Sequence, residues 1–279
     1  MPFPLFDRNP TSRVPWLTIL LILVNVGVTI WTQGLSPKQQ FDLVCERGMV
    51  PERLTQIGSG KPVDIQKPFD GRVFKTRVET DRGSVYSAMI TTLFLHGGWL
   101  HLIMNMWMLW IFGNNVEDRL GHLVFAAFYL MGGVIATYCH WAIDPSSTTP
   151  MIGASGAVWA LLGGYAVTYP RAKVFCLVFV GIPLLLNVPA VLVIGLYFVI
   201  DLISGLAQLQ GGIGEQIAHW AHVGGCVAGV VLMPLLAIGA PPPDADWRTE
   251  AGAMLDPDAQ PINRLQESPP DRSEALAQA

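Results

Sequence analysis

Ser155 stands in Gly153-Ala154-Ser155-Gly156 at the head of an apolar segment, and His222 stands in Ala221-His222-Val223-Gly224-Gly225 inside another. A third apolar run holds His101 and Asn105, four residues apart. Strongly polar or ionisable side chains are costly inside apolar spans and mark function there. A serine hydroxyl is a weak nucleophile until a base removes its proton. His222 supplies such a base, and then an acid for the leaving amine. His101 and Asn105 share a helix face at i and i+4, so both can donate to one developing oxyanion, joined by the Ser155 amide near a helix start. The chemistry predicted is nucleophilic acyl transfer. No Asp or Glu lies in the segment after Ser155 or around His222, so the expectation is a Ser–His dyad. Trp159, four residues after Ser155, is placed to pack on the imidazole, with Gly153 and Gly156 lining the same cavity.

Each of these residues has a plainer reading. His101 and Asn105 can tie helices together by hydrogen bonds, the glycines can serve packing alone, and Trp159 can face lipid. His219, one turn before His222, is a rival base nearer the cavity mouth. His96 reads as a staple for the first loop, and His122 and His140 as interfacial residues at the two ends of one span.

The elements that must position these groups are membrane helices. Of 279 residues, 51% are hydrophobic and 14% charged, against about 25% charged in a soluble domain; mean hydropathy is +0.42. Six segments approach the roughly 20 apolar residues a span needs: 14–33, 88–112, 121–143, 152–169, 187–207 and 216–237. The expected fold is an all-α membrane protein, a six-transmembrane-helix bundle. The first segment exceeds a signal-peptide core and no A-x-A site follows, so it reads as a retained anchor. The run 174–206 is too long for one helix and too short for two spans. Gly181, Pro183, Asn187 and Pro189 break it, and 174–186 is expected to be an interfacial or partly inserted approach to the fifth span. Were it two spans, His222 and Ser155 would enter from opposite sides.

Short loops at 113–120 and 170–173 carry Arg119, Arg171 and Lys173, whereas 144–151 and 208–215 carry no Lys or Arg. Positive residues favour the cytoplasmic side, so both termini are expected inside: a cytoplasmic tail over 1–13, a membrane domain over 14–237 and a disordered cytoplasmic tail over 238–279. The long extracytoplasmic first loop, 34–87, opposes this with nine of the 17 basic residues. Phe41, Val44, Met49, Leu54 and Ile57 recur there at helical spacing. The second, fourth and sixth spans would then all begin outside, with Ser155 in the first turn of one and His222 roughly 10 Å down another. Gly156, Ala160 and Gly164 form one small-residue seam, and Ala221, Gly225 and Gly229 a second; such seams let membrane helices approach closely. The four cysteines show no metal or disulfide spacing, Cys45 reads as a free thiol, and the net charge of −4 argues against nucleic acid as a partner.

These residues resemble the rhomboid intramembrane serine proteases. His96, His101 and Asn105 are similar to that family's H-x4-H-x3-N run, Phe112 to Glu117 with Gly121 to the loop after it, Gly153–Gly156 to its GxSG motif, and Ala221–Gly225 to its AHxxG motif. The resemblance covers about residues 88–237. It implies a six-helix core with Ser155 as nucleophile, His222 as base, and His101, Asn105 and the Ser155 amide as oxyanion hole. It assigns Glu117 and Arg119 structural places in a cytoplasmic loop. It implies hydrolysis of peptide bonds in or beside transmembrane helices of single-span or polytopic membrane proteins, in the lipid bilayer, with no metal or cofactor, and favours helices that unwind easily. The layout without a seventh span resembles bacterial members, hence a cell inner membrane. The Trp-Arg pair that many members carry in the first loop is absent here. Two other readings stand beside this one: a catalytically inactive rhomboid-like binding or quality-control factor, and a transporter that lines its path with the same polar residues.

Overall fold

Uninterrupted apolar composition makes the long helices. The computed structural model describes residues 2–209 and 217–238. Helix α1 covers Trp16–Gln33, α7 His122–Ile143, α9 Ala190–Leu209 and α10 His219–Leu236. These four are long and apolar enough to cross a membrane, which makes the chain an integral membrane protein. The second expected span, 88–112, is broken instead. Helix α4 (Arg82–Thr91) ends in a 3-10 turn over Thr92–Phe94. After His96-Gly97-Gly98 the chain restarts as α5 (Trp99–Met108), a π-helical turn over Leu109–Gly113 and α6 (Asn114–Leu120). The two parts meet at 82°; two successive glycines have no side chain to hold the helix and allow the bend. If that bent pair counts as one span the total is five, so the expectation of six full spans is not met among the described residues. The helix that carries His101 and Asn105 begins at Trp99.

Helix α8 (Ser155–Thr168) is the reason for the shortfall. It has 14 residues, about 21 Å, less than the roughly 30 Å of a bilayer's hydrocarbon core. Every residue from Gly156 to Tyr165 is buried. It is apolar on all sides because it is surrounded by protein. Its closest partner is α10. A Cβ on Gly225 would lie 2.2 Å from the Gly156 carbonyl oxygen, and one on Gly229 would lie 1.9 Å from that of Ala160. The two small-residue seams therefore face each other with backbones in contact.

The first loop is folded, as its apolar spacing indicates, but it is not purely helical. Helices α2 (Pro37–Arg47) and α3 (Pro51–Thr55) precede a hairpin of β2 (Val63–Phe69) and β3 (Arg72–Val78). Phe41, Cys45, Val50, Val63, Ile65 and Val78 form its core; Cys45 is a free thiol, as expected, and is buried there. Arg53, 2% exposed, donates to the carbonyls of Cys45, Glu46 and Glu79 and ties α2 to the end of the hairpin.

The apolar run after α8 also departs from expectation. It forms an antiparallel hairpin of β4 (Lys173–Val180) and β5 (Ile182–Pro189), and β1 (Phe3–Asp7) adds to the outer side of β4. Alternating valine and phenylalanine favour a strand, Gly181 turns at φ +83°, and Pro183 and Pro189 oppose a helix. The expected all-α class is thus corrected to a mostly helical bundle with, among the described residues, two small sheets. The run is a hairpin and one helix, not two spans. Residues 1–13, expected as a tail, include a strand. The expected disordered tail lies outside the described residues from 239 onward.

Candidate functional site

Ser155 is the first residue of α8, and the residue before it, Ala154, makes no side-chain cap. The opening N–H groups of a helix lack intrahelical acceptors, so the Ser155 amide has no acceptor within its own helix. The preceding loop is held from several sides. Gly153 donates to the Thr92 carbonyl at 2.9 Å, and Met49 and Met151 exchange backbone hydrogen bonds of 3.0 and 2.7 Å. The Ala154 amide points at His96 Nε2 at 3.5 Å. His96 therefore staples the loop that carries the serine, from inside the broken span. Gly153 has φ +124°, and a Cβ there would lie 2.7 Å from the His101 ring; only glycine meets both constraints.

His101 and Asn105 lie on consecutive turns of α5. The Gly97 amide donates to His101 Nδ1 at 3.4 Å, which leaves Nε2 with the proton, on the ring edge that faces Gly153. Asn105 Nδ2 donates to the His101 carbonyl at 2.9 Å, so one of its two amide hydrogens is committed within the helix and one remains.

His222 lies in the first turn of α10. Its ring stacks on Trp159, with centroids 5.6 Å apart and planes at 23°. Ser155, Trp159, His101, Asn105 and His222 all line one cavity of about 990 Å³, together with residues of α2, β2 and α9. No hydrogen bond joins Ser155 to His222 among those formed by the described residues. Without a substrate such contacts are often long and tighten in the complex.

Asp201 was not among the expected site residues. It lies on α9, and one carboxylate oxygen, Oδ1, contacts Nδ1 of His219 and, at 3.2 Å, Nδ1 of His222. The expectation of a base without a neighbouring acid is overturned: a helix distant in sequence supplies the carboxylate. A signal did exist, since Asp201 is the sole ionised residue in an apolar helix of 20 residues. His219, the rival base, meets that same carboxylate and lines the same cavity as His222. Donor atoms of Asp201, His219 and His222 lie within 4.8 Å of one another, a donor set suited to a transition metal. Both imidazoles contact a single oxygen, which is how hydrogen-bond donors converge; metal ligands instead spread around an ion about 2 Å away.

At the opposite end of the bundle, Glu117, 1% exposed, accepts from the Leu17 and Thr18 amides and the Thr18 hydroxyl at 2.8, 2.7 and 2.6 Å. His122 Nδ1 reaches it at 2.5 Å. This buried carboxylate caps α1 where that helix has no cap of its own.

Residues 83–238 match the family model described as the Rhomboid domain. The chain is 31% identical over 160 residues to rhomboid-like protein 11, chloroplastic, of Arabidopsis thaliana, covering 53% of this chain and 51% of the relative. It is 27% identical over 232 residues to RHOMBOID-like protein 4 of the same plant, covering 81% and 54%. It is 33% identical over 87 residues to presenilin-associated rhomboid-like protein A, mitochondrial, of Danio rerio, covering 30% and 23%. The matches thus span between about a quarter and about half of these curated relatives. The compartments in these names are organellar, and the expected bacterial inner membrane draws no support from them. The matched segment is more than half of the chain and contains the broken second span, the serine loop and the histidine helix: the protein belongs to the rhomboid family.

Proposed function

We propose that this protein is an intramembrane serine endopeptidase that hydrolyses peptide bonds in or beside the transmembrane segments of membrane proteins. The observation that carries the proposal is one cavity shared by Ser155 at the open end of α8 and His222 stacked on Trp159, with His101 and Asn105 on the facing helix. His222 Nε2 takes the Ser155 proton as Oγ bonds to the scissile carbonyl carbon. The oxyanion receives the Ser155 amide, His101 Nε2–H and the uncommitted hydrogen of Asn105. The C–N bond then breaks as the same imidazole protonates the leaving amine, and water releases the acyl group by the reverse proton path. These steps call for no cofactor.

The cavity walls support a membrane-embedded substrate. Exposed Trp99, Leu100 and Met104 of α5 border it on one side. A closed substrate helix hides its carbonyls in hydrogen bonds, so a segment that unwinds easily is the fitting one. Charge in the short loops supports both termini inside and a cavity open to the other side.

The test is cleavage of a fluorescent single-span substrate by the purified protein in detergent. Wild type should cleave, and Ser155→Ala and His222→Ala should not, with unfolding temperatures unchanged. Equal cleavage by wild type and Ser155→Ala would refute this nucleophile. A folded wild type inert toward several substrates would favour an inactive binding factor. Full activity in His222→Ala with none in His219→Ala would make His219 the base.

A further inference from the structure

We infer that Asp201 is a positioning residue for the base, so that this protein works with a Ser155–His222–Asp201 relay rather than a dyad. The inference rests on the protease reading above and adds a carboxylate to it. Asp201 lies just past the middle of α9, and its side chain is 14% exposed. A carboxylate in such a place needs donors that compensate its lost hydration. Among the described residues its hydrogen-bonding partners are Nδ1 of His219 and Nδ1 of His222. Both contacts are made through the same oxygen, so both imidazoles present Nδ1–H to it.

This arrangement selects a tautomer. With Nδ1–H committed to Asp201, the lone pair of neutral His222 sits on Nε2, the nitrogen a base needs for the serine proton. The ring is fixed on two sides, by Asp201 at its edge and Trp159 across its face at 5.6 Å. When Nε2 accepts the Ser155 proton, the imidazolium forms beside the carboxylate. Asp201 keeps its charge and takes no proton; it holds the ring and stabilises the cation until Nε2 passes the proton to the leaving amine. His219, 6.1 Å from His222 between ring centroids, shares the carboxylate and limits its rotation. Its ring thereby acts on orientation, one step removed from the serine.

The experiment compares wild type, Asp201→Asn, Asp201→Ala and Asp201→Glu as full-length protein in detergent. It reads kcat and KM on the single-span substrate, the rate at which a fluorophosphonate labels Ser155, and the 15N spectrum of labelled histidine, which distinguishes the two imidazole tautomers. Asp201→Asn keeps the shape and loses the charge. It should lower kcat and the labelling rate by about 10²- to 10⁴-fold, leave KM within about threefold, and lose the Nδ1–H form of His222. Asp201→Glu should recover part of kcat. Wild-type kcat in Asp201→Asn would overturn the inference, as would a loss of kcat in all three variants with the His222 tautomer unchanged. If folded wild type neither cleaves nor takes the fluorophosphonate, the protease reading fails by itself. The 15N pattern then decides Asp201 alone: loss of the Nδ1–H form in Asp201→Asn supports its hold on the ring, and an unchanged spectrum overturns it.

Discussion

Gly225→Ala is the smallest change that should disable the site without touching a reacting group. The added Cβ would lie 2.2 Å from the Gly156 carbonyl oxygen, 3.2 Å from its carbon and 3.3 Å from Trp159 Cβ. A carbon and a carbonyl oxygen settle at about 3.3 Å or more, so α10 must retreat by about 1 Å. The obstacle is backbone on both sides, and no rotamer relieves it. Forced overpacking of this kind costs about 1–3 kcal/mol, although alanine is the better helix former. His222 lies three residues before Gly225 on the same helix and Ser155 one residue before Gly156, so the retreat separates base from nucleophile. A displacement of about 1 Å costs about 10²-fold in rate. The assay pairs kcat on the single-span substrate with thermal unfolding in detergent. Gly195→Ala on α9 is the control, because its Cβ meets nothing within 4 Å. Wild-type kcat and stability in Gly225→Ala would refute the argument that seam contact sets the site. Lost stability with full kcat would refute the coupling of that seam to His222.

Three other outcomes follow from particular contacts. Glu117→Ala strips the α1 N-terminus of three hydrogen bonds to a buried carboxylate and should cost about 3 kcal/mol, read by unfolding in detergent; an unchanged midpoint would refute the capping role. Asn105→Ala should lower kcat by about tenfold to 10²-fold with KM nearly unchanged, because two other donors remain; an effect on KM alone would move Asn105 to substrate binding. Burial pushes the Asp7 carboxyl up from its ordinary 3.8 to about 7, against the hydrogen bond from Tyr165 that favours its charged form. The folded chain therefore holds this proton more tightly than the unfolded chain. The penalty is absent below about pH 4 and grows as pH rises toward 7, to a few kcal/mol, roughly 2–4. Wild type should lose stability relative to Asp7→Asn between pH 5 and pH 8, and parallel profiles would refute the assignment.

Much of the site could be read from residue types and spacing. Ser155, His222, His101 and Asn105 stood out because polar groups in apolar runs carry a cost that composition alone reveals. The facing seams were legible too, because small residues every four positions line one side of any helix. The apolar spacing in 34–87 foretold a folded loop, though its hairpin, packed on α2 by non-local contacts, was not foreseen.

Other features belong to the tertiary structure. The length of α8 follows from its enclosure by other helices, since a helix wrapped in protein need not match the thickness of a bilayer. The long apolar run became a hairpin because β1, about 170 residues earlier in the chain, offered its edge; hydrophobicity without clear periodicity does not separate strand from helix. The break at His96-Gly97-Gly98 lay inside a continuous apolar stretch, and its contacts with the serine loop exist only once the chain has folded. Asp201 shows the limit most clearly. Its apolar setting marked it as costly, but its partners lie 18 and 21 residues further along the chain, on another helix. Sequence separation carries no direction, and only the packing of α9 beside α10 turned that isolated carboxylate toward the base.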